Sequence, residues 1–413
     1  LPEGDPRLRT YEGVLPGFRP VVNDPWENGG VEWGKWLAAQ GFDVPSRPMD
    51  LYAPDTSFPG AADRAATWAP TLFPAHLSET VFMTDKVLEH LERHGDTSFF
   101  VHLSYVRPHP PRRNPAGYHD LYDEGAIGPF AGAATPSEQA RSHPLDAALL
   151  SLPLTACPPG ERERRQLRAT YYGAMSEVDD QLGRLFAWLS TSGLTRETLV
   201  VLTSDHGEMG GDYWLVEKCG YWDESFHVPL VVVDPTSAAD ATRGLVVRRP
   251  TESVDVCATI LDWLGLDVPR QVDGLSLMPF VQSTGGPQEW REVAHWEWDF
   301  RHVEQRWAEQ YFGIPSEQCS LAVERGASAK YVQFAADPQI LAPIMFDLGP
   351  GTSAPVPVEG EQALAMAQEM LRWRARNLER TLTDCYLSPA SGPVWYTGSA
   401  RGGANRRPRA SLT

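Results

Sequence analysis

Thr198-Leu199-Val200-Val201-Leu202-Thr203-Ser204-Asp205-His206-Gly207 is the stretch on which the fold turns. Its first six residues form a continuous apolar and β-branched run, which reads as a strand buried on both faces of a parallel sheet. The four that follow break the run, so the strand delivers an aspartate and a histidine at its C-terminal end. Where a chain turns off a strand, adjacent side chains no longer alternate between faces, and both could reach one cation. Asp205 would supply oxygen and His206 nitrogen, a mixed pair that suits Mn2+, Fe2+ or Zn2+ better than Ca2+, which prefers oxygen alone. Taken alone, Asp-His-Gly at a strand end also suits a turn or a helix cap.

Working outward, Pro229-Leu230-Val231-Val232-Val233 reads as a further buried strand, and Asp255 as the cap of a helix through Leu264. Upstream, Ser78 can cap a helix from Glu79 to His94 that Gly95 stops. Phe99 to Tyr105 then reads as a short strand, ended by Arg107-Pro108-His109-Pro110-Pro111, where prolines forbid further ladder pairing. From Glu161 to Ser190, Leu167, Tyr171, Ala174, Val178, Leu182, Leu185 and Leu189 recur at steps of three and four, one face of a long amphipathic helix. Alternation of helix and strand predicts an α/β sandwich with a mostly parallel central sheet, in which ligands bind outside the carboxyl ends of the strands.

Residues 1–75, rich in Pro, Gly and Trp, read as long loops around a core. Beyond Pro287, short β-type runs at Cys319–Val323 and Lys330–Phe334 precede a helix from Gly360 to Thr381, the pattern of a small α+β domain. The expected organisation is a catalytic domain over 1–286, the small domain over 287–396 and a disordered tail over 397–413, where Arg401, Arg406, Arg407 and Arg409 lie among Gly, Pro and Ser.

A formal charge of −18 argues against generic binding to nucleic acid or to an anionic membrane, since neither phosphate surface is attracted at long range. A small anionic substrate remains compatible, because a metal ion and one or two basic side chains can dominate the field of a cleft. Cys157, Cys219, Cys257, Cys319 and Cys385 are scattered without Cys-x-x-Cys spacing and read as reduced thiols. No run approaches the ~18 apolar residues of a membrane span. Together these features lead us to expect a cytoplasmic protein, compatible with a homo-oligomer.

Two further residues carry potential chemistry. Lys218 lies in a segment dense with Gly, Trp and Tyr, where it could hold an anionic oxygen; a surface lysine is the plainer alternative. His109 sits between prolines, where it could act as a general acid or simply be hydrogen-bonded. If all four groups serve one reaction, His109, Asp205, His206 and Lys218 should converge on one cleft at the carboxyl ends of the sheet.

Taken together, these stretches resemble the phosphonate monoester hydrolases, sulfatase relatives in the alkaline phosphatase superfamily. The resemblance runs in order through Ser104-Tyr105-Val106-Arg107-Pro108-His109-Pro110-Pro111, Ser204-Asp205-His206-Gly207-Glu208 with Gly211-Asp212 and Lys218, and Asp223-Glu224-Ser225-Phe226. It continues in Tyr171-Tyr172-Gly173, Glu177-Val178-Asp179-Asp180, Asp273 to Leu277, Trp296-Glu297-Trp298-Asp299-Phe300-Arg301 and Lys330-Tyr331-Val332. It covers residues 75–385. Ser-Asp-His-Gly is shared widely in the superfamily, whereas the Trp-Glu-Trp-Asp-Phe-Arg stretch is more particular.

The resemblance implies an alkaline-phosphatase-like sandwich and hydrolysis of phosphonate monoesters, phosphodiesters or sulfate esters. An arylsulfatase or choline-sulfatase-like activity is the alternative on the same scaffold. It implies that Asp205 and His206 bind one divalent ion, Mn2+ foremost with Ca2+, Zn2+ or Fe2+ as alternatives, and that His109 and Lys218 contact the anionic centre and the leaving oxygen. The family's third metal aspartate and its Cys-x-Pro-x-Arg or Ser-x-Pro-x-Arg segment, the source of a formylglycine nucleophile, do not occur in this sequence. The expectation is therefore a truncated chain, inactive by itself, rather than a degenerate non-catalytic one, since all four other groups survive. Gly210 stands where leucine is expected, Tyr213 where histidine is, and Gly349-Pro350-Gly351-Thr352 replaces an acidic run; Asp179 and Asp180 read as structural.

Overall fold

The structure is a computed structural model that describes residues 18–22, 29–95, 97–269, 272–301, 305–349, 354–377, 385–388 and 392–395. In chain order the elements that matter are helices α1 (Val31–Ala39), α2 (Glu79–His94), α3 (Pro144–Leu150) and α4 (Glu161–Thr191), strand β1 (Val200–Thr203), helix α5 (Asp223–Phe226), strand β2 (Leu230–Val233) and helix α6 (Asp255–Trp263). Strands β3 (Ala294–Asp299), β4 (Ser320–Arg325), β5 (Ala329–Phe334), β6 (Ile344–Asp347) and β7 (Ala354–Val356) precede helix α7 (Gly360–Asn377). The predicted tail over 397–413 lies outside the described residues.

The chain forms two compact units. The first takes residues 1–136, 156–195 and 210–216; the second takes 137–155, 196–209 and 217–413.

In the first unit the segment expected to be loops contains α1 and a buried aromatic core. Trp33, Leu37, Leu51, Tyr52, Phe73, Leu77 and Phe82 pack together, and Trp33 Nε1 donates to the Leu77 carbonyl at 2.9 Å. Trp33 and Leu37 sit four apart on one helix face; the short turn elements that surround them hid that periodicity. Helix α2 starts as predicted, with Ser78 Oγ accepting from the Val81 amide at 3.3 Å. It packs on α4. The buried face of α4 carries Gln166, Thr170, Glu177 and Gln181 as well as Leu167 and Ala174, so it is more polar than the expected leucine stripe.

Phe99–Tyr105 forms no strand among the described residues. An apolar run favours extended backbone, yet a strand needs a neighbour to take its amides.

In the second unit β1 and β2 pair antiparallel, Val200 opposite Val233 and Thr203 opposite Leu230. The expected parallel partnership is thereby corrected: every strand pair among the described residues is antiparallel. A β-branched run sets strand propensity, whereas the direction of pairing is set by how the connecting chain returns. Nor is β2 buried on both faces, since Val231 and Val233 are 48% and 43% exposed.

Strands β3 to β7 form a sheet in sequence order, with α7 laid over it through Ala363 and Met370 against Ala322, Tyr331 and Met345. Asp255 does not cap its own helix as expected. Its buried carboxylate accepts from the Glu252 and Leu275 amides at 2.9 and 2.8 Å and from Arg291.

Candidate metal and anion site

Asp205 and His206 leave the end of β1 as predicted. Asp205 Oδ1 accepts from the His206 amide at 2.9 Å, which anchors a carboxylate whose side chain is 84% exposed. His206 Nδ1 lies 2.9 Å from the Gly207 carbonyl. A carbonyl only accepts, so Nδ1 carries the proton and the neutral ring has its lone pair on Nε2. That nitrogen faces Asp205 Oδ2 at 3.5 Å. One nitrogen and one carboxylate oxygen thus lie side by side, with the tautomer fixed from the far side of the ring, which is how metal-binding histidines are oriented. These donors fit a divalent ion. Among the described residues no group of three or more His, Cys, Asp or Glu is gathered.

The backbone just after this pair is tied to the segment that carries Lys218. Gly207 N donates to Ser225 O at 2.8 Å and Glu208 N to Glu224 O at 3.0 Å. Met209 N donates to Glu217 O at 3.0 Å, and Glu208 Oε1 accepts from Glu217 N at 2.8 Å. Ser225 Oγ, in turn, accepts from Cys219 N at 3.1 Å. Residues 205–209 and 217–226 are therefore one laced platform, and Asp205, His206 and Lys218 are all mounted on it. The lacing demands glycine at 207, because a Cβ there would stand 2.0 Å from the Glu224 carbonyl oxygen. Lys218 Nζ lies 3.5 Å from Glu217 Oε2 with its side chain 37% exposed.

His109 belongs to the first unit. Its amide closes a turn onto Val106 O at 2.9 Å, and its Nδ1 donates to Pro110 O at 3.0 Å. The peptides Arg107–Pro108 and Pro110–Pro111 are cis. Arg107 fills the inside of the loop. Its guanidinium donates to Pro111 O at 2.8 Å and to Arg113 O, stacks 5.0 Å over the Tyr52 ring, and pairs with the buried Glu177 carboxylate at 3.8 Å. Asn114 completes the frame by donating to Thr170 O on α4 at 2.7 Å.

The sulfatase family model matches residues 27–266. The C-terminal model of N-sulphoglucosamine sulphohydrolase matches residues 211–371. The multifunctional alkaline phosphatase superfamily protein PehA of Trinickia caryophylli is 36% identical over 402 residues, 93% of this chain and 76% of the relative. The chain belongs to the sulfatase family.

As a sulfatase-family chain it is a hydrolase with the alkaline-phosphatase-like fold. The crystal structure of the phosphonate monoester hydrolase of Agrobacterium radiobacter superposes with a TM-score of 0.80 at 34% identity, covering 99% of this chain and 79% of that one. The phosphonate monoester hydrolase SpPMH of Silicibacter pomeroyi gives 0.82 at 32% identity, covering 96% and 78%. Enzymes of this family use a divalent metal. No helix of the described residues is long and apolar enough to cross a membrane.

The sequence showed Arg107, Glu177, Glu208 and Asp223 within the resembling stretches but assigned them no role; the structure makes Arg107 and Glu177 supports in the first unit and Glu208 and Asp223 supports in the second. Glu177 left a signal. A carboxylate three positions after Ala174 on an otherwise buried helix face needs a cationic partner.

Proposed function

We propose that this sulfatase-family hydrolase acts on phosphonate monoesters, with phosphodiesters and sulfate esters as companion substrates. In this reading Asp205 and His206 hold one divalent ion, Mn2+ foremost. The observation that supports it most is the laced platform, on which His206 Nε2 and Asp205 Oδ2 lie 3.5 Å apart beside the lysine-bearing segment. When bound, the ion supplies Lewis-acid charge to the oxygens of the phosphoryl or sulfuryl group.

The residues of the chain do the rest. His206 keeps Nε2 basic by donating Nδ1–H to the Gly207 carbonyl. Lys218 holds positive charge where negative charge develops on a transferring oxyanion. His109, with Nδ1–H given to Pro110, carries on Nε2 the proton that a departing alkoxide or phenoxide requires. No residue of this sequence is assigned as nucleophile. Cys219, Cys257 and Cys319 stand outside any disulfide, which supports a cytoplasmic setting, and the net charge of −18 supports a small ester over nucleic acid or membrane as the partner.

The test combines binding and turnover. Mn2+ titrated into the full chain should bind, and Asp205→Ala or His206→Ala should weaken it by about 100-fold; unchanged affinity in both variants refutes the site. In protein that also carries a formylglycine segment, a phosphonate monoester, a phosphodiester and a sulfate ester sharing one 4-nitrophenol leaving group then rank the substrates. The sulfate ester turned over fastest would replace the phosphonate reading with an arylsulfatase.

A further inference from the structure

Strands β4 and β5 set Arg325 directly opposite Lys330. Two cations facing each other across a ladder repel, and Lys330 is buried at 1% exposure. Such a pair is stable only around an anion. Asp223, the first residue of α5, supplies it: Oδ1 accepts from Lys330 Nζ at 3.0 Å and Oδ2 from Arg325 Nε at 3.2 Å. Lys330 also donates to the Tyr221 carbonyl at 3.0 Å, and its ammonium rests 4.6 Å over the Phe346 ring. Burial would lift the Asp223 carboxyl, but Lys330 and Arg325 hold it below its ordinary range. Burial lowers the Lys330 ammonium, and Asp223 opposes that.

The consequence lies at the other end of α5. Its residues Glu224 and Ser225 accept the Glu208 and Gly207 amides that follow His206, and Ser225 Oγ accepts the amide that follows Lys218. One four-residue helix therefore ties both halves of the platform, and the ion triad grips that helix at its start.

We infer that Lys330, held between Asp223 and the Tyr221 carbonyl, is a positioning residue that fixes Asp205, His206 and Lys218 from the five-stranded sheet. The inference rests on the metal reading above for its effect on affinity, and on the hydrogen bonds alone for its effect on the backbone.

Lys330→Met keeps the apolar stem and removes the charge. Mn2+ affinity of the full chain should fall about tenfold, the low end for residues that orient ligands. Hydrogen exchange at the Gly207 and Glu208 amides should accelerate by a similar factor. Val332→Ala, on the same strand, should lower the melting temperature and leave both readouts unchanged. Arg325→Gln, in which Lys330 remains, should shift both readouts about twofold to threefold in the same direction, and decides the matter if Lys330→Met fails to fold.

Affinity within twofold of wild type in Lys330→Met, where Asp205→Ala abolishes binding, overturns the inference and leaves the metal reading standing. Equal losses in Val332→Ala also overturn it, since the role would then be general stability. If Mn2+ binding in wild type proves independent of Asp205, the metal reading falls and exchange alone decides: acceleration in Lys330→Met but not Val332→Ala supports positioning, and unchanged exchange removes it.

Discussion

The His109 loop and the platform of residues 205–209 and 217–226 carry the groups of the proposed site, but bonds of different kinds fix them. The loop is proline-rich, has few amides to give, and is shaped around a side chain: Arg107 reaches into it and ties the Pro111 and Arg113 carbonyls to Glu177 on α4. The platform is held mainly by its own backbone, amide to carbonyl, from 207–209 to 217 and 224–225. Glu208 and Ser225 side chains reinforce that lacing by accepting the Glu217 and Cys219 amides, and Asp146 on Tyr221 and Lys330 on Asp223 tie its margins. A structure built on one buried cation fails at that cation. One built on backbone bonds fails where a Cβ forces the strands of chain apart.

The comparison breaks most visibly at Arg107. Arg107→Ala leaves Glu177 as a buried carboxylate without its cation and should cost about 3–5 kcal/mol. Chemical denaturation measures this; a loss below about 1 kcal/mol would mean that the prolines alone hold the loop. Gly207→Ala tests the other design. Its Cβ meets a backbone oxygen rather than a flexible side chain, so the cost should reach about 3 kcal/mol, the upper end for overpacking. Faster hydrogen exchange at residues 207–209 should accompany it, with the His109 loop unaffected.

The third effect is smaller and depends on pH. Burial pushes the Asp146 carboxyl up to about 6, although Gln139 and Tyr221 donate to it at 2.8 and 3.0 Å and pull it down. A pKa raised on folding stabilises the protein fully below the unfolded carboxyl value and loses that contribution as pH rises through about 6. Asp146→Asn keeps a polar group of the same shape, and the Gln139 amide can rotate to match it. Between pH 4 and 7 wild type should lose on the order of 2–3 kcal/mol relative to this variant. Parallel stability curves for the two proteins would show that Asp146 does not titrate in this window.

Several features were legible in the sequence because they depend on local chemistry. Ser78 and Gly95 bounded α2, the spacing of Leu167 and Ala174 marked α4, and the break after Thr203 put Asp205 and His206 at a strand end. The order of motifs from His109 to Lys330 carried the family. Val31–Ala39 was misread as loop because the short turn elements around it mask the periodicity of Trp33 and Leu37.

What the sequence determined by itself was the family and the elements that carry the candidate groups, since motif order and local propensity are properties of neighbouring residues. Only the tertiary structure decided how those groups are held. The direction of the β1–β2 pairing, the fit of Gly207 against the Glu224 carbonyl and the meeting of Arg325, Lys330 and Asp223 each depend on residues far apart in the chain. Close packing and charge compensation act through space, so no local run of residues encodes them.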